Sequence, residues 1–161
     1  MPNWCEGSLR MRGKFENLKN FFKSGLMVYR LIFNGSVENI ECPELLSIEY
    51  DEPKYFLMNV GLDAHITGTE RAFVLQDDIE FSDNGKDVCS CAVRIKQAWD
   101  FHAEEFRDLA FKYSLDMRLN GFERGGKFSR EIIIEGGVII KDETTQYKDY
   151  DYECIMPMLG G

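Results

Sequence analysis

The chain has 161 residues, of which 44% are hydrophobic, and its net charge at pH 7 is −9. Its length and apolar content predict one domain over 1–161, and no apolar run approaches the ~20 residues of a membrane span. Net acidity disfavours nucleic acid as a general partner, because attraction to phosphates dominates that affinity.

The first predicted strand begins close to the N-terminus. Mostly apolar residues alternate there with polar ones, which is typical of a strand with one buried face. The inward set is Cys5, Gly7, Leu9 and Met11, and the outward set is Glu6, Ser8, Arg10 and Arg12. Trp4 is expected to close the end of the core. An amphipathic helix follows, with Phe15, Leu18 and Phe22 at helical spacing and Gly25 at its C-terminal end.

The same strand–helix pattern returns in the second half of the chain. The inward set of its strand is Cys89, Cys91, Val93 and Ile95, and the outward set is Ser90, Ala92, Arg94 and Lys96. Asp100 is predicted to cap the N-terminus of the helix that carries Phe106 and Leu109. A further strand through Met117 and a hairpin around Gly136-Gly137 follow.

A long acidic segment, approximately 27–87, separates the two strand–helix units. Residues 38–87 contain thirteen acidic and three basic residues, whereas residues 1–37 have a net charge of +4. The segment is too long for a loop in a compact domain. We therefore predict an α+β fold of the ferredoxin-like type: a two-layer sandwich with an antiparallel sheet, two helices on one face and an acidic insertion between the two units.

Two stretches of the sequence carry a family resemblance. The first comprises Asn3, Trp4 and Cys5, then Leu9, Met11 and Gly13; the second comprises Trp99, Glu123, Gly125 and Phe128. With these residues the chain resembles the YubB-type ferredoxin-like proteins, which are phage- and plasmid-associated. The resemblance implies a fold and a mobile-element context rather than a reaction. Gly7 and Arg130 stand where the family pattern has Asn and Gly.

Several motifs are interpreted as structural. The stretch GFERGGKF is close to a phosphate-binding loop, but Phe128 replaces the Ser or Thr that meets Mg²⁺, and a strand follows instead of a helix. Cys5, Cys89 and Cys91 are expected to be buried free thiols. The five cysteines show no paired spacing, which favours a reducing, cytoplasmic compartment. His65 and His102 have no nucleophile nearby in the sequence, so no catalytic residue, metal ligand or cofactor is assigned.

The charge distribution yields two candidate binding surfaces. A basic one on the open sheet face would contain Arg10, Arg12, Arg94 and Lys96. An acidic one would contain Asp77, Asp78, Glu80 and Asp83.

The leading hypothesis is a non-catalytic accessory protein of a mobile genetic element that binds a basic protein partner through the acidic surface, with DNA mimicry as one version. The alternative is a nucleic-acid-binding module that uses the basic sheet face. No membrane partner is expected. Part of the acidic segment is also predicted to contact the cations of the sheet.

Overall fold

The computed structural model describes residues 2–31, 37–40, 54–56, 64–75, 78–83 and 87–161. The strands are β1 (Trp4–Lys14), β2 (Leu26–Leu31), β3 (Val37–Ile40), β4 (Lys54–Phe56), β5 (Ala64–Ile66), β6 (Ala72–Val74), β7 (Asp78–Glu80), β8 (Ser82–Asp83), β9 (Val88–Ala98), β10 (Asp116–Glu123), β11 (Phe128–Glu135) and β12 (Val138–Gln146). The helices are α1 (Phe15–Ser24), α2 (Ala103–Tyr113) and α3 (Tyr150–Glu153).

A large antiparallel sheet organises this α+β fold. Its strands lie in the order β12-β11-β10-β1-β9-β6-β5-β2-β3, with β8 also paired to β9 and with β4 and β7 forming a separate pair. The prediction that the first strand is central is confirmed, because β1 pairs along its length with β9 on one side and β10 on the other.

Both long helices cover one face of this sheet. Phe21 and Phe22 of α1 and Phe106 and Leu109 of α2 belong to the same buried cluster as the inward side chains of the strands. The predicted inward positions Cys5, Leu9, Met11, Cys89, Cys91, Val93 and Ile95 are all buried. Helix α1 ends before Gly25, as predicted. No helix in the described ranges has the length and apolar character that a membrane span requires.

The acidic segment does not form a separate unit in the part that is described. Its strands β2, β5 and β6 extend the main sheet beyond β9, while β4 pairs with β7. The pattern of 72–81 fits either a strand or a helix, and the described residues of this stretch include the strands β6 and β7.

Two local predictions are wrong. Asp100 does not cap α2: the residue before the helix is His102, and the Asp100 carboxylate accepts a hydrogen bond from the Phe101 N–H at 2.7 Å. Trp4 does not close the core, because its place beside Cys5 puts it on the opposite sheet face, where it packs on Phe73.

The buried cysteines lead to a prediction about thiol reactivity. We expect thiol reagents to modify Cys5, Cys89 and Cys91 only after unfolding, because all three are buried and because a reagent attacks the thiolate form. Burial raises the pKa of Cys91 to about 12, which leaves almost no thiolate at neutral pH. Mass-spectrometric mapping with and without denaturant measures this. Rapid native labelling of any of the three would contradict the strand orientation.

Candidate functional site: a basic groove on the sheet

The face of the sheet opposite the helices, called here the far face, gathers basic side chains on its central strands. Arg10 of β1 lies directly opposite Arg118 of β10. Two residues away, Ser8 lies opposite Arg94 of β9. These positions alternate with the buried ones, so the side chains of the three arginines share one side of the sheet. The predicted cations Arg10 and Arg94 are therefore brought together with Arg118.

The far-face arginines differ in how their charges are neutralised. Arg12 forms an ion pair with Asp116 at 2.6 Å, and Arg118 reaches Glu135 at 3.2 Å. Burial alone would raise the pKa of Asp116, but hydrogen bonds from Arg12 and from the Gly136 N–H lower it overall. Within the described ranges, Arg10 forms no ion pair.

A groove of about 580 Å³ runs across this part of the far face. We call it the basic groove. Its polar lining consists of Glu6, Ser8, Arg10, Arg94, Arg118, Asn120 and Glu131. Its apolar lining includes Leu75, Phe122, Ile133, Ile155, Met156 and Leu159. The volume lies within the range of ligand-binding clefts, and the mixture of apolar walls with a few charged groups is typical of them.

The segment after α3 forms one wall of the basic groove. Its position is fixed by a pair of backbone hydrogen bonds between Trp4 and Gly161, at 3.1 and 3.2 Å. The Tyr150 hydroxyl also donates to the carbonyl oxygen of Leu159 at 3.0 Å. These contacts hold Ile155, Met156 and Leu159 at the groove.

The remaining predicted cation, Lys96, lies in an aromatic stack next to the groove. Its ammonium group is 4.9 Å from the centre of the Trp4 ring and 5.7 Å from that of Phe73. The Arg71 guanidinium lies 5.7 Å from the centre of the Trp4 ring and 5.6 Å from that of Trp99. Each cation placed over an aromatic face in this way is attracted by the negative face of the ring. The four predicted cations are thus divided between the groove, an ion pair and this stack.

Contacts between the cations and the acidic segment are partly described. The Arg94 guanidinium donates to the backbone carbonyl of Leu75 at 3.3 Å, and Lys96 meets the ring of Phe73. Arg12 binds Asp116, which lies outside the segment. The predicted contacts with carboxylates of the acidic segment involve residues that are largely outside the described ranges, and they stay a prediction.

The proposed acidic surface falls largely outside the described part of the chain. Asp77 lies outside it, and Asp78 and Asp83 are described only as backbone positions in β7 and β8. Glu80 is exposed at the end of β7. The acidic surface therefore stays a prediction.

The loop that resembles a phosphate-binding motif is occupied by the protein's own carboxylate. Glu123 is buried and accepts hydrogen bonds from the backbone N–H groups of Gly125, at 2.7 Å, and Gly126. These are the donors that a phosphate would need. The structure therefore supports the interpretation of this stretch as a turn between β10 and β11.

A cluster of two glutamates and a histidine was not predicted from the sequence. Glu70, His102 and Glu105 bring their donor atoms together beside the start of α2. Glu70 is 32 positions before His102, and the pairing of β6 with β9 brings the two loops together. No local spacing signals this proximity.

Comparison of the chain with protein-family models, curated protein sequences and solved structures found no match.

Proposed function

We propose that this chain is a non-catalytic binding protein whose basic groove binds an extended, acidic segment of a partner protein. The observation that carries the proposal is the pair Arg10 and Arg118, directly opposite each other on β1 and β10, with Arg94 nearby. Like charges placed directly across a sheet destabilise it. An anionic ligand would offset that cost, and guanidinium groups bind carboxylates with two parallel hydrogen bonds.

The apolar lining favours a peptide as the ligand. Leu75, Ile133 and Leu159 are aliphatic and line the same groove as the arginines. A peptide that alternates acidic and aliphatic side chains would place carboxylates at the arginines and apolar groups against these residues. Nucleic acids would instead call for exposed aromatic rings on which bases stack, and Phe122 within the groove is buried.

The order of the sheet elements supports a ferredoxin-like core as part of the proposal. A ferredoxin-like core has six elements, which in this chain would be β1, α1, β2, β9, α2 and β10. The neighbours β10-β1-β9 follow the order expected for the fourth, first and third strands of that fold, while β5 and β6 lie between β9 and β2. The mobile-element context is proposed from the family resemblance alone, and the cytoplasmic location from the unpaired spacing of the cysteines. The predicted acidic surface would be a separate interface for a basic partner.

A second candidate function is the binding of single-stranded nucleic acid. It is favoured by the aromatic stack, because Trp4 and Phe73 lie on the same sheet face as the arginines and Trp99 is about half exposed. Affinity from phosphate contacts would fall steeply with salt.

The proposal predicts which peptides bind and which arginines they need. Panning a random peptide display library on the immobilised protein is expected to enrich peptides that combine Asp or Glu with aliphatic residues. The triple variant Arg10→Gln/Arg94→Gln/Arg118→Gln should then bind an enriched peptide at least 100-fold more weakly, because each charge-assisted hydrogen bond contributes about 1.5–3 kcal/mol. Fluorescence anisotropy measures the affinity.

The matched control removes three positive charges from the helical side of the molecule. Lys19→Gln/Arg107→Gln/Lys112→Gln changes the net charge equally and should leave binding unaltered. Oligothymidine and oligouridine serve as nucleic-acid probes. Salt-sensitive binding of these probes that the groove variant loses, without enrichment of acidic peptides, would replace the proposal with the second candidate. Equal peptide binding by the groove variant and the wild type would reject the groove as the site.

A further inference from the structure

A second cluster of titratable side chains lies on the helix-covered side of the sheet, at the start of α2. It comprises Glu70 from the turn between β5 and β6, His102 just before α2, and Glu105 in its first turn. One donor atom of each residue lies within 4.8 Å of the other two. We propose that these three side chains form a binding site for a zinc-type divalent ion, independently of the function proposed for the basic groove.

A buried glutamine ties the three ligand residues together. Gln97 is completely buried, and its side-chain Nε2 donates to the Glu105 carboxylate at 2.7 Å and to the backbone carbonyl of Glu70 at 3.1 Å. Its Oε1 accepts a hydrogen bond from the His102 N–H at 3.2 Å. Of the three ligand side chains, Gln97 orients the Glu105 carboxylate directly, and its other two bonds fix the backbone of Glu70 and His102. Metal ligands are commonly oriented by outer hydrogen bonds of the kind that Glu105 accepts.

The charge balance of the cluster favours a cation. Glu105 Oε1 accepts a hydrogen bond from the Glu70 N–H at 3.1 Å and lies 3.3 Å from His102 Nδ1. In the part of the chain that the structure describes, neither carboxylate forms an ion pair with a lysine or arginine. The imidazole carries a charge only when it is protonated. A divalent ion would supply the positive charge that the two carboxylates lack.

The donor set points to the class of ion. One imidazole with two carboxylates suits Zn²⁺ and its neighbours among the transition metals, whereas Mg²⁺ and Ca²⁺ prefer sites made of oxygen atoms alone. Three protein ligands also leave room for a water molecule in the fourth position of a tetrahedral site.

Metal titration of the untagged full chain tests the site. We expect calorimetry to show one Zn²⁺ per chain, and Co²⁺ to give visible absorption bands without the near-ultraviolet band of thiolate ligands. His102→Gln and Glu105→Gln should each weaken Zn²⁺ binding at least tenfold. Trp4 and Trp99, the two tryptophans of the chain, flank Arg71 next to Glu70, so their fluorescence gives a second readout.

The other histidine of the chain provides the matched control. His65→Gln should bind Zn²⁺ as the wild type does, because His65 belongs to β5 and not to the cluster. The His102 side chain is part-exposed, so the His102→Gln variant is expected to fold. This variant therefore tests the site even if Glu105→Gln does not fold. Absence of saturable binding by the wild type, a thiolate–cobalt band, or equal affinity of His102→Gln and the wild type would each overturn the proposal.

Discussion

Replacing Phe101 with alanine is expected to lower the free energy of unfolding by about 3–5 kcal/mol, the usual cost of removing a buried phenylalanine. Phe101 is completely buried between the sheet and α2, with its ring centre 6.2 Å from that of Phe106. It occupies space that Gly121 leaves open, since a Cβ atom on Gly121 would lie only 2.3 Å from the Phe101 ring. Without the ring, a glycine-lined cavity would remain.

Phe111→Ala is the matched control for this prediction. It removes the same side chain from the exposed side of α2, where Phe111 keeps 77% of its accessible surface. We expect a change within about 0.5 kcal/mol, as for most surface substitutions. Urea denaturation of both variants gives the comparison. Similar losses in the two variants would mean that Phe101 does not anchor α2 to the sheet.

The second large effect is expected for Arg130→Ala, which should cost about 1–3 kcal/mol at pH 7. The Arg130 Nε is 3.1 and 3.2 Å from the two carboxylate oxygens of Asp100. Its Nη1 lies 2.5 Å from the Asp142 carboxylate and donates to the Thr144 hydroxyl at 3.0 Å. Removal of Arg130 leaves the half-buried Asp100 carboxylate without its cation, and the remaining exposure of Asp100 keeps the cost below that of a fully buried pair.

The cost of Arg130→Ala should depend on pH in a defined direction. Burial raises the pKa of Asp100 above its ordinary value of 3.8, and the charge of Arg130 counteracts that rise. In the variant the pKa is expected to rise further, so the folded form binds a proton more readily than the unfolded chain. The stability difference between wild type and variant should therefore narrow as the pH falls from 7 towards 4.

A double-mutant cycle with Asp100→Asn separates this pair from the other contacts of Arg130. If the ion pair accounts for the effect, Arg130→Ala should cost less in the Asp100→Asn background, and the pH dependence should disappear. A cost that is equal in both backgrounds at every pH would assign the effect to Asp142, Thr144 or lost packing instead.

Local periodicity predicted the elements that have one apolar and one polar face. The alternation around Leu9 and Val93 predicted the parity of β1 and β9, and the helical spacing around Phe22 and Phe106 predicted α1 and α2. In a strand every second side chain enters the core, and in a helix every third or fourth does, so the pattern is visible in a single segment. The sequence also predicted that Arg10 and Arg94 would meet, because β1 and β9 were expected to be neighbours.

Other features depend on pairings between distant segments. The acidic segment joins the sheet through short strands such as β5 and β6, which have three residues each, and three residues show too little alternation to reveal a partner. The prediction for Trp4 is wrong because the large size of its ring favoured the core. Trp4 lies an even number of residues from Arg10 in β1, so both side chains lie on the far face. Glu70 lies beside His102 because β6 pairs with β9, and these two strands are far apart in the sequence.

The structure explains the residues at positions 7 and 130. A Cβ atom on Gly7 would lie 1.8 Å from the backbone oxygen of Asn120, so no larger residue fits there without moving β10. Arg130 uses its long side chain to join β11 to Asp100 and to β12. Both residues make contacts across strands. Neighbouring residues in the sequence do not reveal such contacts.

The central place of β1 has a consequence for how the protein is made. This strand leaves the ribosome before either of its two neighbours, because β9 and β10 are synthesised only after residue 87. Contacts of such large sequence separation form slowly, because a long loop must close before these contacts can stabilise the chain. Until then an alternating strand with unpaired backbone groups is exposed to other nascent chains. The sheet centre therefore assembles only after the segment between β1 and β9 has emerged, and β1 is the strand that needs protection in the meantime.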